Sequence, residues 1–123
     1  MKSFFLIATM LLTCFTMNAQ ISEIKEQGST ALIYNDNGQY SGHSISIGGG
    51  RSIAGYNSRY VVVQTSYTAF IYDDKGNFTG FSISLSGGRS IKNVSGSNIL
   101  IKDGLKVYYY DFRGSYTGNS TNN

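Results

Sequence analysis

The chain of 123 residues repeats itself at an interval of 38 residues. Residues 34–53 read YNDNGQYSGHSISIGGGRSI and return at 72–91 as YDDKGNFTGFSISLSGGRSI. The same register begins a third time at Tyr110 as YDFRGSYTGNS, so that Tyr34, Tyr72 and Tyr110 are equivalent positions. A repeat without insertions indicates an array of one supersecondary unit, in which neighbouring copies cover each other's apolar faces.

The first 19 residues have the layout of a secretory signal peptide. Lys2 precedes an apolar run over residues 4–15, and small or polar residues follow as far as Ala19. The run is about a dozen residues, shorter than the roughly 20 that span a bilayer as a helix. Cys14 raises the alternative of a lipoprotein, although the threonine before it is not the small residue usual there. We expect cleavage near Ala19, a secreted or periplasmic and outer-membrane-associated protein, and no membrane span after cleavage.

The chain expected to remain, residues 20–123, contains no cysteine and one histidine. Core packing and sheet pairing must therefore hold it together without disulfides, and a zinc site is close to excluded. Without Lys2 it has nine basic and seven acidic residues, a net charge of +2. So slight and scattered a charge does not favour nucleic acid or an anionic membrane as a partner. We expect no metal and no cofactor.

Turn residues divide each copy into short extended segments. Residues 78–85 alternate apolar and small side chains, which predicts a half-buried strand with Phe81, Ile83 and Leu85 on one face. Three turns begin with Asn or Asp and end with Gly, which favours hairpins because Gly takes the positive φ that closes them. The closing residues are Gly38, Gly76 and Gly114.

No helical pattern follows residue 19, and about four short strands fit each copy. The sequence predicts a single all-β domain over 20–123, built from three antiparallel meander copies at about 20–57, 58–95 and 96–123. The third copy stops before its fourth strand. Three closures stay open: blade-like units, one continuous twisted sheet or solenoid, and, as an alternative, a β-trefoil. Three blades are fewer than the roughly four to eight of a closed ring, so blade-like units would stay open or assemble with other copies.

The shared pattern Tyr-x-x-x-Gly-x-(aromatic)-(Ser/Thr)-Gly-x-Ser resembles the YDxxGxYTGxS tandem repeats of bacterial envelope and secreted proteins. It is similar, more loosely, to the tyrosine–aspartate repeats of large bacterial surface and toxin proteins. The resemblance covers most of residues 20–123. It implies an extracytoplasmic β-repeat protein, and it carries over no catalytic residue.

Three motifs suggest chemistry that their repeats then argue against. Asp36 and Asp74 lie in turns that resemble parts of calcium loops, but the further oxygen ligands and a distant acid are missing. The glycines before Arg51 do not open a helix, as a phosphate-binding loop does. His43 has no orienting partner in sequence, and the other copies place Phe81 and Asn119 at its position. The sequence therefore predicts no catalytic residue and no enzymatic activity.

The repeated aromatic and arginine positions are the candidate ligand-binding residues. Tyr34 and its equivalents favour the core, because rings dominate burial in small domains. The remaining candidates are Tyr40, Phe78 and Tyr116, with Arg51 and Arg89 at matching loop ends. Each arginine is equally able to pair with the turn Asp of a neighbouring copy.

Two functions follow as hypotheses. The first is a secreted or envelope-associated, non-enzymatic interaction or structural protein, which would contact another protein or assemble with itself through repeated loops or an open sheet edge. The alternative is a small carbohydrate-binding module with one weak site per copy. Its partner would then be a glycan.

Overall fold

The computed structural model describes residues 20–122, and all regular structure in that range is β-strand. The strands in chain order are β1 (Ile21–Gln27), β2 (Thr30–Asn35), β3 (Tyr40–Ser46), β4 (Ser52–Tyr56), β5 (Tyr60–Gln64), β6 (Thr68–Asp73), β7 (Phe78–Ser84), β8 (Ser90–Val94), β9 (Ile99–Asp103), β10 (Lys106–Tyr110) and β11 (Tyr116–Asn122). The expected signal peptide over residues 1–19 lies outside the described range.

The strands form three separate antiparallel meanders. Sheet A has the order β1-β2-β3, sheet B the order β4-β5-β6-β7, and sheet C the order β11-β10-β9-β8. This confirms the predicted all-β fold of three meander units. Every strand pair within residues 20–122 joins consecutive strands of one sheet, so the units are blade-like rather than parts of one continuous sheet or of a trefoil.

The sheets divide the repeat at a different point from the predicted copies. The fourth strand of each sequence copy, β4 or β8, pairs with the first strand of the next copy, β5 or β9. The chain passes from sheet to sheet at the glycine-rich segments 47–51 and 85–89. The three-stranded unit is therefore the first sheet. The third copy stops after three strands, β9 to β11, as predicted, and β8 from the preceding copy completes its sheet. Periodicity has no preferred starting point, and only packing decides which loop crosses between units.

Two apolar clusters hold the three sheets in a stack. One joins sheet A to sheet B and includes Ile33, Ile45, Val61 and Val63; the other joins sheet B to sheet C and includes Val62, Ile71, Ile99 and Ile101. Successive side chains of a strand point to opposite faces of its sheet, so β5 contributes to both clusters. Its three valines are fully buried. Sheet B is thus covered on both faces, and sheets A and C form the ends of the stack.

The repeated motif has a local structural reason at each position. The first turn residue, such as Asp73, accepts main-chain hydrogen bonds from Lys75 and Asn77, each at 2.9 Å through Oδ1. Gly76 closes this turn with a φ of +78°, as the sequence predicts. Asn35 and Asp111 accept the equivalent bonds in the other two sheets.

The Thr-Gly pair of the motif forms a bulge in β7. Gly80 has a φ of +92°, and the pairing with β6 shifts register between Phe70 and Tyr72. The hydroxyl of Thr79 donates to the carbonyl of Ile71 at 2.7 Å and accepts from the main-chain amide of Phe81 at 3.3 Å. It thereby bonds main-chain groups beside the register shift. Phe81 itself is 43% exposed, whereas Ile83 and Leu85 are buried as predicted.

Neighbouring sheets also contact each other through these turns. A Cβ placed on Gly76 would lie 2.5 Å from the carbonyl oxygen of Ser44 in sheet A, and one on Gly114 would lie 2.6 Å from that of Ser82 in sheet B. Ser44 and Ser82 are one repeat apart, as are the two glycines. The Gly76 and Gly114 turns therefore pack on the edge strand of the preceding sheet, and only glycine fits there.

Candidate functional site

Three aromatic side chains project from equivalent positions along one edge of the stack. Tyr40, Phe78 and Tyr116 are the first residues of the edge strands β3, β7 and β11, and they are 48%, 48% and 47% exposed. We refer to these three residues as the aromatic row. Since stacked sheets lie roughly 10 Å apart, the rings of the row recur at regular intervals along this edge.

Each ring of the row packs against a tyrosine at or next to the end of the preceding strand. The ring centroids of Tyr72 and Phe78 are 5.7 Å apart with the planes tilted by 48°, and those of Tyr110 and Tyr116 are 5.8 Å apart with a tilt of 47°. Tyr34 supports Tyr40 in the same way, at 6.0 Å and 50°. These supporting tyrosines are half-buried, and Tyr72 and Tyr110 pack against the two core clusters, as expected for this set.

A second ring braces two members of the row. Phe70 meets Phe78 edge to face at 5.6 Å, and Tyr108 meets Tyr116 at the same distance and angle. Each row residue also follows a neutral, exposed hydrogen-bonding residue: Gln39, Asn77 and Ser115. In three copies, a supported and half-exposed ring thus follows an uncharged polar residue in the sequence.

The two arginines predicted as candidate ligand-binding residues are half-buried and form hydrogen bonds that link neighbouring sheets. Arg51 Nη1 donates to the hydroxyl of Tyr72 at 3.4 Å, and its Nε donates to the carbonyl of Gly48 at 3.3 Å. Arg89 repeats this by donating to the hydroxyl of Tyr110 and, at 3.0 Å, to the carbonyl of Ser84. Both guanidinium groups thus bind the tyrosine that supports the row and do not extend into solvent.

The acidic partner of Arg89 is Asp103 at the end of β9, not a turn aspartate. Its carboxylate lies 3.8 Å from Arg89 Nε, and the two side chains are 21% and 47% exposed. That nitrogen is buried without a hydrogen-bond partner. A partly exposed pair at this distance contributes little to stability, so the hydroxyl and carbonyl contacts fix the arginine.

The polar residues outside the row are scattered. His43 is exposed on the edge strand β3, where its main-chain amide donates to Ser41. Within residues 20–122 no cluster of three or more His, Cys, Asp or Glu side chains is placed to hold a metal ion. The first residue of each hairpin turn, Asn35, Asp73 or Asp111, uses its side-chain oxygen to hold main-chain amides. These turns therefore have a structural role.

Two features of the site were not found from sequence. The polar residue before each ring differs in all three copies, so no repeated letter marks it. The pairing of each row ring with a tyrosine six positions earlier is set by the hairpin turn, which brings the start of one strand opposite the end of its neighbour. An aromatic residue recurring at that interval was the available signal.

Comparison with protein-family models, curated proteins and solved structures found no match to this chain. Over residues 20–122 the structure also has no helix of the length and apolar character needed to cross a membrane.

Proposed function

We propose that this chain is a secreted or envelope-associated, non-enzymatic interaction protein that contacts its partner through the aromatic row. The observation that carries the proposal is the recurrence of one half-exposed ring, with one supporting geometry, in all three sheets. Repeated equivalent contacts favour binding by avidity, because each added contact is made at the high effective concentration that the first one creates.

The rigidity of the row supports this proposal. An exposed aromatic side chain that is already fixed loses little conformational entropy on binding, and it brings a large apolar area to the contact. Tyrosine is also common at binding surfaces, because its ring is apolar and its hydroxyl stays hydrated. The resemblance to extracytoplasmic β-repeats and the signal-like residues 1–19 agree with a partner outside the cytoplasm.

A carbohydrate partner is the second candidate, and the residues that precede the rings in sequence favour it. Gln39, Asn77 and Ser115 are neutral donors and acceptors, suited to hydroxyl groups. Flat ring faces suit the apolar face of a sugar, and a row of them suits a linear glycan. Each site alone would be weak.

The test compares the full chain with a variant in which Tyr40, Phe78 and Tyr116 are all changed to Ser. The matched control changes Tyr67 and Leu105 to Ser, because these residues are 72% and 84% exposed but lie outside the row. Binding is measured on a glycan array and on immobilised envelope proteins. We expect binding to be lost in the row variant and kept in the control.

Loss of array binding in the row variant identifies a glycan, whereas a silent array with row-dependent protein capture identifies a protein. Equal binding by all three proteins would refute the proposal.

A further inference from the structure

Neighbouring sheets are joined where a turn glycine packs on the main chain of an edge-strand serine. At the two ends of the stack, one such glycine and one such serine remain without this contact among the described residues. Gly38 closes the turn of sheet A at the position of Gly76, but nothing lies within 4 Å of where its Cβ would be. Ser120 follows Ser82 by one repeat, in a strand whose residues are all exposed, and no glycine turn of residues 20–122 packs on it. The glycine of one end therefore matches the strand of the other.

The outer faces of the end sheets are more polar than the internal faces. In β1, Ile24 packs toward sheet B, so Glu23 and Lys25 on either side of it face outward. They take the places held one repeat later by Val61 and Val63, which are buried. Charged end faces keep the stack soluble and prevent a contact as extensive as the internal ones.

Some apolar surface remains at both ends. Leu32 alternates with inward-facing Ala31 and Ile33, so it lies on the outer face of sheet A. Leu100 alternates in the same way with Ile99 and Ile101 and lies on the outer face of sheet C. Both leucines are half-buried.

The charge of the sheets changes sign along the stack. Residues 21–47 have three acidic residues and one basic residue, a net charge of −2; residues 52–84 have two of each and are neutral. Residues 90–122 have four basic and two acidic residues, a net charge of +2. The nearly neutral total hides this gradient. Opposite charges at the two ends favour attraction between the first sheet of one copy and the last sheet of another.

We propose that two copies of this chain associate head to tail, with the Gly38 turn of each copy packed on the main chain of Ser120 in the other. The contact continues a geometry that the chain uses twice internally, and the opposite end charges steer it. It uses sheet faces and a turn, not the aromatic row, and is independent of the proposed binding function.

The number of sheets favours a closed pair. Three blade-like sheets are too few for a ring, but two copies supply six, within the roughly four to eight of closed blade arrangements. The inner strands already converge, since a Cβ on Gly55 in β4 would lie 2.7 Å from Val94 in β8. A pair in which each end meets the other closes both contacts at once.

The test is sedimentation velocity of the full chain over a wide concentration range, at low and at high salt. We expect a reversible shift from one copy to two at low salt, weakened by high salt because the contact is partly electrostatic. Gly38→Asn should lower the association constant by about tenfold or more, since a side chain there would meet the Ser120 carbonyl. Gly28→Asn is the control, because Gly28 also has a positive φ and open space around it but lies in the β1–β2 turn.

A double variant, Glu23→Lys with Glu26→Lys, reverses exposed charges without touching the backbone. It should weaken association at low salt by about tenfold or more and remove most of the salt dependence. A single copy at every concentration and salt would overturn the proposal, as would association unchanged by Gly38→Asn and by the charge reversal. Growth beyond two copies would overturn the closed pair.

Discussion

Gly76 illustrates how a residue in a local turn also fixes the contact between two sheets. Its positive φ closes the hairpin, and its lack of a side chain lets the turn lie against Ser44. Gly38 shares the first property but not the second, because sheet A is the first sheet within residues 20–122. A side chain at this repeat position would therefore clash with the preceding sheet in sheet B but not in sheet A.

This difference gives the first prediction. Gly76→Asn should lower the free energy of unfolding by about 1–3 kcal/mol, because its Cβ would overlap the Ser44 carbonyl. Gly38→Asn should change it much less, since Asn tolerates positive φ and the space is open. Urea denaturation of both variants measures the difference. Equal destabilisation would mean that the turn does not pack on the preceding sheet.

A second prediction concerns the hydrogen bonds through which Arg89 links sheet C to sheet B. Tyr110→Phe removes the hydroxyl that accepts from Arg89 and should cost about 1 kcal/mol of unfolding free energy. Tyr34→Phe is the control, because Tyr34 instead has the Lys25 ammonium over its ring at 4.6 Å, an interaction that Phe keeps. Thermal or urea unfolding measures both. The reverse order of stability would contradict the role of the arginine.

At the scale of the element, the strands and turns were predictable and the bulges were not. A turn such as 73–76 follows from local backbone chemistry, so its Asp and Gly identify it. Phe81 follows the bulge in the same register as Ile83 and so lies on the same face, but it is 43% exposed on the edge strand β7. The aromatic row follows from repeated letters, whereas the ring pairs that support it depend on the strand pairing at each hairpin turn.

The bulge itself provides the third prediction. Thr79→Val keeps the shape of the side chain but removes the hydrogen bond to the Ile71 carbonyl, and should cost about 1 kcal/mol of unfolding free energy. Thr117→Val removes the equivalent bond to Tyr109 in exposed β11, where water can replace the hydroxyl, so its effect should be smaller. Urea unfolding of the two variants is the measurement. An equal or larger loss for Thr117→Val would contradict the prediction.

On the scale of the whole molecule, the repeat predicts three units. It does not predict which strands form each sheet or how the charge is distributed among the sheets. A period of 38 residues is the same from any starting point, so the division between sheets A and B had to come from the hydrogen bonds. The net charge of residues 20–123 is +2, and this single sum does not reveal that the charge runs from −2 in sheet A to +2 in sheet C.

Burial on both faces should make sheet B the most stable unit. Amide hydrogen exchange should be slowest in β5, whose valines are fully buried, and fastest in β1 and β11 at the ends of the stack. Exchange followed by mass spectrometry or NMR tests this fourth prediction. Equal protection of β5 and β11 in a solution of single copies would contradict a stack in which only the middle sheet is covered.

The central claim is that three equivalent rings act together on one partner. The most direct test measures binding to the best array glycan or captured protein as Tyr40, Phe78 and Tyr116 are changed to Ser singly, in pairs and all together. If the rings act by avidity, each ring removed should lower the affinity by a further factor, and the order of removal should not matter. Dependence on one ring alone, or no dependence on any, would contradict the claim.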